Sequence, residues 1–248
     1  MAKSVLLYLF ISHMPKIFVV LLSLFFFRPT NAQMAMAIIK DPDGFCNIRE
    51  HAAIKSKIQD TVSNGRFVCV FEEEAKENWL LVDYKKGDKT LSGYVHKSRI
   101  TFLGDLEKFK VTTLNDTVLI LELSDMLIAI RKGKFTSKGR QIIYEKPSNR
   151  QQLVKNIDGR FPWGTDGNIP KNEYKQIQFK SGNHILTFPK ISFSDFFEPN
   201  LGMTSAYLDK ATNTIYLQAM NGDGAGGYVS VWAVKNEQVI QRETFIPF

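Results

Sequence analysis

From residue 33 onward the chain is cut by turn chemistry at short intervals, and what lies between the turns suits strands rather than helices. AMAIIK, FCNIRE, RFVCVFEEE, WLLVDYKK and GYVHKSRI are rich in β-branched and aromatic residues and are bounded by DPDG, SNG and KKGDKT. Five short strands within about seventy residues predict a small barrel. Beyond the charged connector DLEKFK the pattern resumes with VTTLND, TVLILEL, MLIAIRK, RQIIYE, YKQIQFK, HILTFPK, TIYLQAM, GYVSVWAV and QVIQRETFIPF. This second series predicts an antiparallel sandwich or barrel-like domain. The expected fold is therefore all-β, with a small N-terminal barrel over residues 33–104 and an antiparallel β domain over 108–248. The single expected helix is SFSDFFEP at 192–199, with Ser and Asp to cap it and Pro199 to stop it.

The N-terminus has a different character. MPKIFVVLLSLFFFRPTNAQ places a lysine before the eleven-residue run Ile17 to Phe27, followed by a polar stretch ending in the small residue Ala32. That is the layout of a secretory signal peptide, expected here over residues 1–32, with Met14 as an alternative start. Eleven residues span roughly 16 Å as a helix, against a hydrocarbon core of ~30 Å, so no stable membrane span is expected after cleavage. The formal charge of the whole chain is +7. Without Lys3, Lys16 and Arg28 it falls to +4, too mild to predict nucleic-acid binding. The expected location is the periplasm or cell surface of a Gram-negative bacterium.

Several spaced motifs in the first series resemble a bacterial SH3-like (SH3b) domain. They are the turn and strand DPDGFCNIRE at 41–50, the loop HAAIKSKIQDTVSNG, Trp79 after an acidic turn, and the close SGYVHKSRI at 92–100. EHAAIK replaces the family's usual S-G-P-S after N-x-R. The resemblance implies an SH3-like barrel that binds a cell-envelope ligand, either a peptidoglycan peptide or an envelope protein. In the second half, IDGRFPWGTDGNIPKNEYKQIQF, FEPNL and NGDGAGGYVSVWAV look like an uncharacterised C-terminal domain of exported Bacteroidetes proteins. That family offers no established chemistry to transfer.

Residues 222–227, GDGAGG, match the dinucleotide fingerprint G-x-G-x-x-G, and Glu243 stands near where a ribose-binding acid would fall. The fingerprint needs a helix after the glycines, yet GYVSVWAV alternates like a strand. The expectation is a hairpin turn whose glycines supply positive φ angles. Asn221 and Asp223 could offer oxygens to calcium, but the further acids of a calcium loop are missing. No cofactor and no metal are expected, and His51, His96 and His184 lack metal-ligand spacing.

Five residues stand as ligand-binding candidates. Trp79 and Tyr94 could floor a shallow groove on the barrel, or serve its core. Trp163, in FPWGTDGNIP, either plugs the end of the second domain or offers a stacking platform. Asp166 and Asp223 could meet as a carboxylate pair for glycan hydrolysis, a reaction that depends on their separation. Alternation places Cys46 and Cys69 on opposite faces of their strands, so no disulfide is expected. The favoured reading is a non-enzymatic binding protein. The alternatives are an envelope-glycan hydrolase or carbohydrate-binding protein using the C-terminal domain, and a protein-protein interaction or inhibitor role.

Overall fold

Successive residues of one strand, Val231 and Trp232, are both fully buried, and they lie in different cores. Because side chains alternate across a strand, this requires a sheet covered on both faces. The layers follow from that requirement. The computed structural model describes residues 34–145, 152–222 and 224–247, so the expected signal segment lies outside the described residues.

The first sheet contains β1 (Met34–Ile39), β2 (Phe45–Arg49), β3 (Ile58–Ser63), β4 (Phe67–Lys76), β5 (Trp79–Lys86), β6 (Lys89–His96) and β7 (Ile100–Phe102). Its order is β3-β2-β6-β5-β4-β1-β7, and it curls into an antiparallel half-barrel. Ile39, Cys46, Ile48, Val68, Val70, Leu80, Val82 and Val95 fill its interior. β3 occupies the end of what the sequence suggests is a loop. Its residues are mostly exposed, so the burial pattern that marks a strand is faint there. Gly93 permits the curl: a Cβ there would lie 2.4 Å from Ile48 Cγ2 and 3.1 Å from the Arg49 carbonyl oxygen, where β2 crosses β6.

The remaining strands are β8 (Glu107–Lys108), β9 (Lys110–Leu114), β10 (Val118–Leu123), β11 (Met126–Lys134), β12 (Ile142–Glu145), β13 (Leu153–Ile157), β14 (Asn172–Ser181), β15 (His184–Thr187), β16 (Thr204–Asp209), β17 (Thr214–Asn221), β18 (Tyr228–Lys235) and β19 (Gln238–Phe245). They form two five-stranded antiparallel sheets, β15-β14-β11-β10-β9 and β19-β18-β17-β16-β8, and a separate β12-β13 hairpin. The two large sheets face each other across a core that includes Leu119, Ile128, Ile177, Leu217, Tyr228 and Trp232. The expected connector is part of this sandwich, since β8 pairs with β16 and Phe109 enters the core.

The outer face of β17–β18 packs against the outer face of β1 and β4. Met36, Ile38, Phe67 and Cys69 meet Tyr207, Tyr216, Val229, Val231 and Phe245 there, with the Phe67 and Tyr216 rings edge-on at 5.7 Å. The described residues from Met34 onward therefore cohere as one unit, in which the barrel and the sandwich each keep their own core beside the seam and a smaller cluster around Phe197. Cys46 lies in the barrel core and Cys69 in this seam; both are free thiols, as the alternation predicts.

The expected helix at 192–199 does not form. A short 3-10 turn, Lys190–Ser192, precedes it, and Phe196 and Phe197 are extended and bridge to Trp163 and Glu173. Phe193, Phe196 and Phe197 have helical spacing. Phe196, however, enters the sandwich core and Phe197 a smaller core with Val154 and Ile157. Neighbours in different cores require an extended backbone.

Candidate functional site

Leu80, Val82 and Tyr84 point into the barrel, so Trp79, Leu81 and Asp83 must point out. On that outer face Trp79 pairs with His96, and Leu81 with Tyr94. Trp79 and Tyr94 are both half-buried, and neither belongs to the barrel core. The Trp79 ring meets the His96 imidazole edge-on at 5.3 Å, and the Arg49 guanidinium lies 5.9 Å from its centroid. Tyr94 carries Lys76 over its ring at 5.5 Å.

Beside Trp79 is a hollow of about 190 Å³ lined by Asp41, Phe45, Arg49, Ile54, His96 and Arg99, among others. Tyr94 shares the face but not the hollow. Phe45 is 46% exposed and Ile54 69%, so three large apolar side chains cluster at the surface. The charged residues are held in place. Arg99 donates to Asp41 Oδ1 at 3.0 Å, Asp41 accepts the Asp43 amide, and Arg49 donates to the Ser56 carbonyl at 2.7 Å. Burial pushes the thiol of Cys46, which also lines the hollow, up to about 11. The hollow is smaller than the ~300 Å³ of a typical small-molecule pocket and suits one inserted side chain of a larger ligand. The sequence reading missed Phe45, Arg49 and Ile54. With Cys46 and Ile48 facing inward, Phe45 had to face outward, and that signal was available.

The second group of candidates lies elsewhere. Trp163 is half-buried; it packs against the sandwich core and Tyr228 while its other side meets the exposed Phe161 ring. It therefore combines plug and exposed surface, and it lines a groove at the seam between barrel and sandwich. Asp166 is exposed and lines a different hollow, of about 600 Å³, with Lys132, Asn168, Lys171, Glu198 and Gly222. Trp163 and Asp166 are thus close in sequence but do not share a cleft. Asp223 lies outside the described residues. Glu198 is committed to structure, accepting from the Lys171 amide and from Asn172.

The glycine run is a hairpin turn between antiparallel β17 and β18, as expected. Gly222 and Gly224 have φ of +69° and +47°. The turn packs against the loop of Trp163: a Cβ on Gly226 would lie 3.2 Å from the Gly164 carbonyl oxygen. Asn221 is fully buried, and its side-chain oxygen accepts from the Tyr174 hydroxyl and the Asn200 amide, both at 3.0 Å. It is not available as a calcium ligand. Among the described residues no three His, Cys, Asp or Glu side chains cluster as a metal site would require, and no helix is long and apolar enough to cross a membrane. Comparison of the chain with protein-family models, curated proteins and solved structures returns no match.

Proposed function

We propose that this chain is a non-enzymatic binding protein of the bacterial cell envelope, and that the barrel face around Trp79 takes a peptide. One observation carries the reading: Trp79, Phe45 and Ile54 present apolar surface around a hollow of about 190 Å³ that has a charged rim. An apolar side chain of the ligand enters beside Trp79, where burial of its surface supplies ~25 cal/mol per Å². Arg49 and Asp43 border the hollow and offer one charge of each sign. A peptide carrying both amine and carboxylate groups complements that pair, and peptidoglycan stem peptides are of this kind. An extended segment of an envelope protein is the other member of the class. Export follows from the signal-like N-terminus and forms part of the same proposal.

Co-sedimentation of residues 34–248 with peptidoglycan sacculi tests the reading. The expected result is binding that falls at least tenfold in Trp79→Ala and is unchanged in Trp163→Ala, with both variants folded. Sacculi that carry down neither the wild type nor the variants would contradict a peptidoglycan ligand.

A further inference from the structure

Among the described residues, eight other than glycine have positive φ, and six of them sit in turns that join antiparallel neighbours: Glu77, Ser124, Asp158, Asn213, Asn236 and Glu237. Asp166 and Glu198 do not, with φ of +47° and +50°. Both line the same hollow of about 600 Å³, where β14 begins and β17 ends. A left-handed backbone costs a residue with a Cβ roughly 1–2 kcal/mol. It persists where the surroundings over-determine it, and such strain gathers at ligand sites. Glu198 is held in this way. Its amide donates to the Asn172 carbonyl, its carbonyl accepts from the Gly222 amide, and its carboxylate accepts the Lys171 and Asn172 amides.

The walls are tied together from below. Buried Asn221 accepts from the Tyr174 hydroxyl and the Asn200 amide and donates to Ser230 Oγ at 3.1 Å. The buried Thr165 hydroxyl donates to the Pro162 carbonyl at 3.0 Å, and a Cβ on Gly222 would lie 2.5 Å from the Gly226 carbonyl oxygen. The hollow is therefore shaped before any ligand arrives, which lowers the cost of ordering it on binding. Other lining groups are left open. Among the described residues no hydrogen bond reaches the Asp166 carboxylate, the Lys171 ammonium or the Asn200 side chain. Lys132 donates to the Pro199 carbonyl at 3.2 Å and keeps its other two N–H groups.

We propose that this hollow binds a saccharide that carries a carboxylate. A hydroxyl both donates and accepts, so a sugar ring complements a lining that mixes carboxylate, ammonium and amide groups. Among the described residues the open charges are two ammoniums, Lys132 and Lys171, against the one carboxylate of Asp166. The sugar carboxylate therefore sits at the lysines, and its hydroxyls meet Asp166 and Asn200. Ile169, 43% exposed, offers apolar surface to the C–H face of a ring. The volume lies within the ~300–1,000 Å³ of ligand pockets. The site shares no residue with the Trp79 hollow and stands or falls without it.

The test titrates residues 34–248 by calorimetry with short oligosaccharides containing galacturonic, glucuronic or N-acetylmuramic acid, each beside its carboxyl-reduced form. At least one acid form is expected to bind, and its reduced form to bind about tenfold more weakly or worse, the loss of a hydrogen bond to a charged group. Lys171→Gln and Asp166→Asn change exposed residues, and asparagine tolerates the positive φ at 166. Each should weaken binding by a similar factor in a folded protein, while Trp79→Ala leaves it unchanged. The proposal is overturned if no acid form binds, if the reduced forms bind equally well, or if both variants bind like the wild type. Binding lost in a folded Trp79→Ala would move the saccharide to the barrel and also overturn it.

Discussion

Arg66 and Glu243 meet across the seam between barrel and sandwich, with a guanidinium nitrogen 2.5 Å from the carboxylate. Glu243 is buried while Arg66 remains partly in solvent, so removing the acid leaves a cation that water can still reach. Glu243→Ala is expected to lower stability by about 1–3 kcal/mol, from the lost charge-assisted hydrogen bond and packing. Glu243→Gln keeps the volume and sheds the cost of burying a charge, so it should lower stability by less. Urea denaturation of the two variants measures the difference. Equal losses would show that charge plays no part at the seam.

Two carboxyls should have their titration midpoints displaced in opposite directions. Burial raises the Glu243 carboxyl above its ordinary value, against the opposing pull of Arg66, the Gln241 hydrogen bond and Lys85. Asp60 is lowered, first by its hydrogen bond from Lys86, helped by the Thr61 amide and the Tyr84 hydroxyl. For Glu243, the folded value above the unfolded one means its contribution is fully present below the unfolded value and is lost as pH rises through the folded value. For Asp60 the contribution is present above the unfolded value and is lost as pH falls through the folded one. Carboxyl-carbon NMR across pH 2–8 should place the Asp60 midpoint below ~3.9 and that of Glu243 above ~4.3. A reversed order would refute the assigned environments.

Cys46 and Cys69 should be silent towards thiol reagents in the native protein. Burial is the main cause that pushes the two thiols up to about 11 and about 12, and both side chains are enclosed. A chromogenic disulfide reagent at pH 8 should report no fast-reacting thiol until denaturant is added, and then two. Intact mass should show no loss of two hydrogens. A disulfide in the folded protein would contradict their placement in separate cores.

Gly164 and Gly224 separate backbone strain from crowding. Both have positive φ, +92° and +47°. A Cβ on Gly224 meets nothing within 4 Å, whereas one on Gly164 would lie 2.6 Å from the Phe197 carbonyl oxygen and 2.8 Å from Tyr228 Cε1. Gly224→Ala should cost about 1 kcal/mol, and Gly164→Ala at least about 2 kcal/mol, with overpacking added to strain. Thermal unfolding of both reads this out, and equal shifts would show that the loop of Trp163 yields freely.

Strands with one face in a core were legible in the sequence because their period-2 pattern is strong, as in WLLVDYKK and TVLILEL. β3 escaped because IQDTVS buries only Val62. The phenylalanines at 193, 196 and 197 mimicked a helix face because spacing alone cannot say that neighbouring side chains enter different cores. The seam had a signal that alternation rules pass over: Tyr228 to Val234 is apolar at every position but Ser230, the mark of a strand covered on both faces. The outward turn of Trp79 was implied by Leu80 and Val82. Its companions Phe45 and Ile54 come from separate segments, which only the folded curl brings together.

The central claim, a peptide-binding hollow at Trp79, is tested most directly by indole N–H signals. The chain has three tryptophans, and each occupies a different setting: the barrel face, the seam groove and the sandwich core. Titrating a soluble peptidoglycan stem peptide into residues 34–248 should shift the Trp79 indole resonance in a saturable way and leave those of Trp163 and Trp232 in place. A Trp79 resonance unmoved at saturating peptide, or a shift confined to Trp163, would contradict the account.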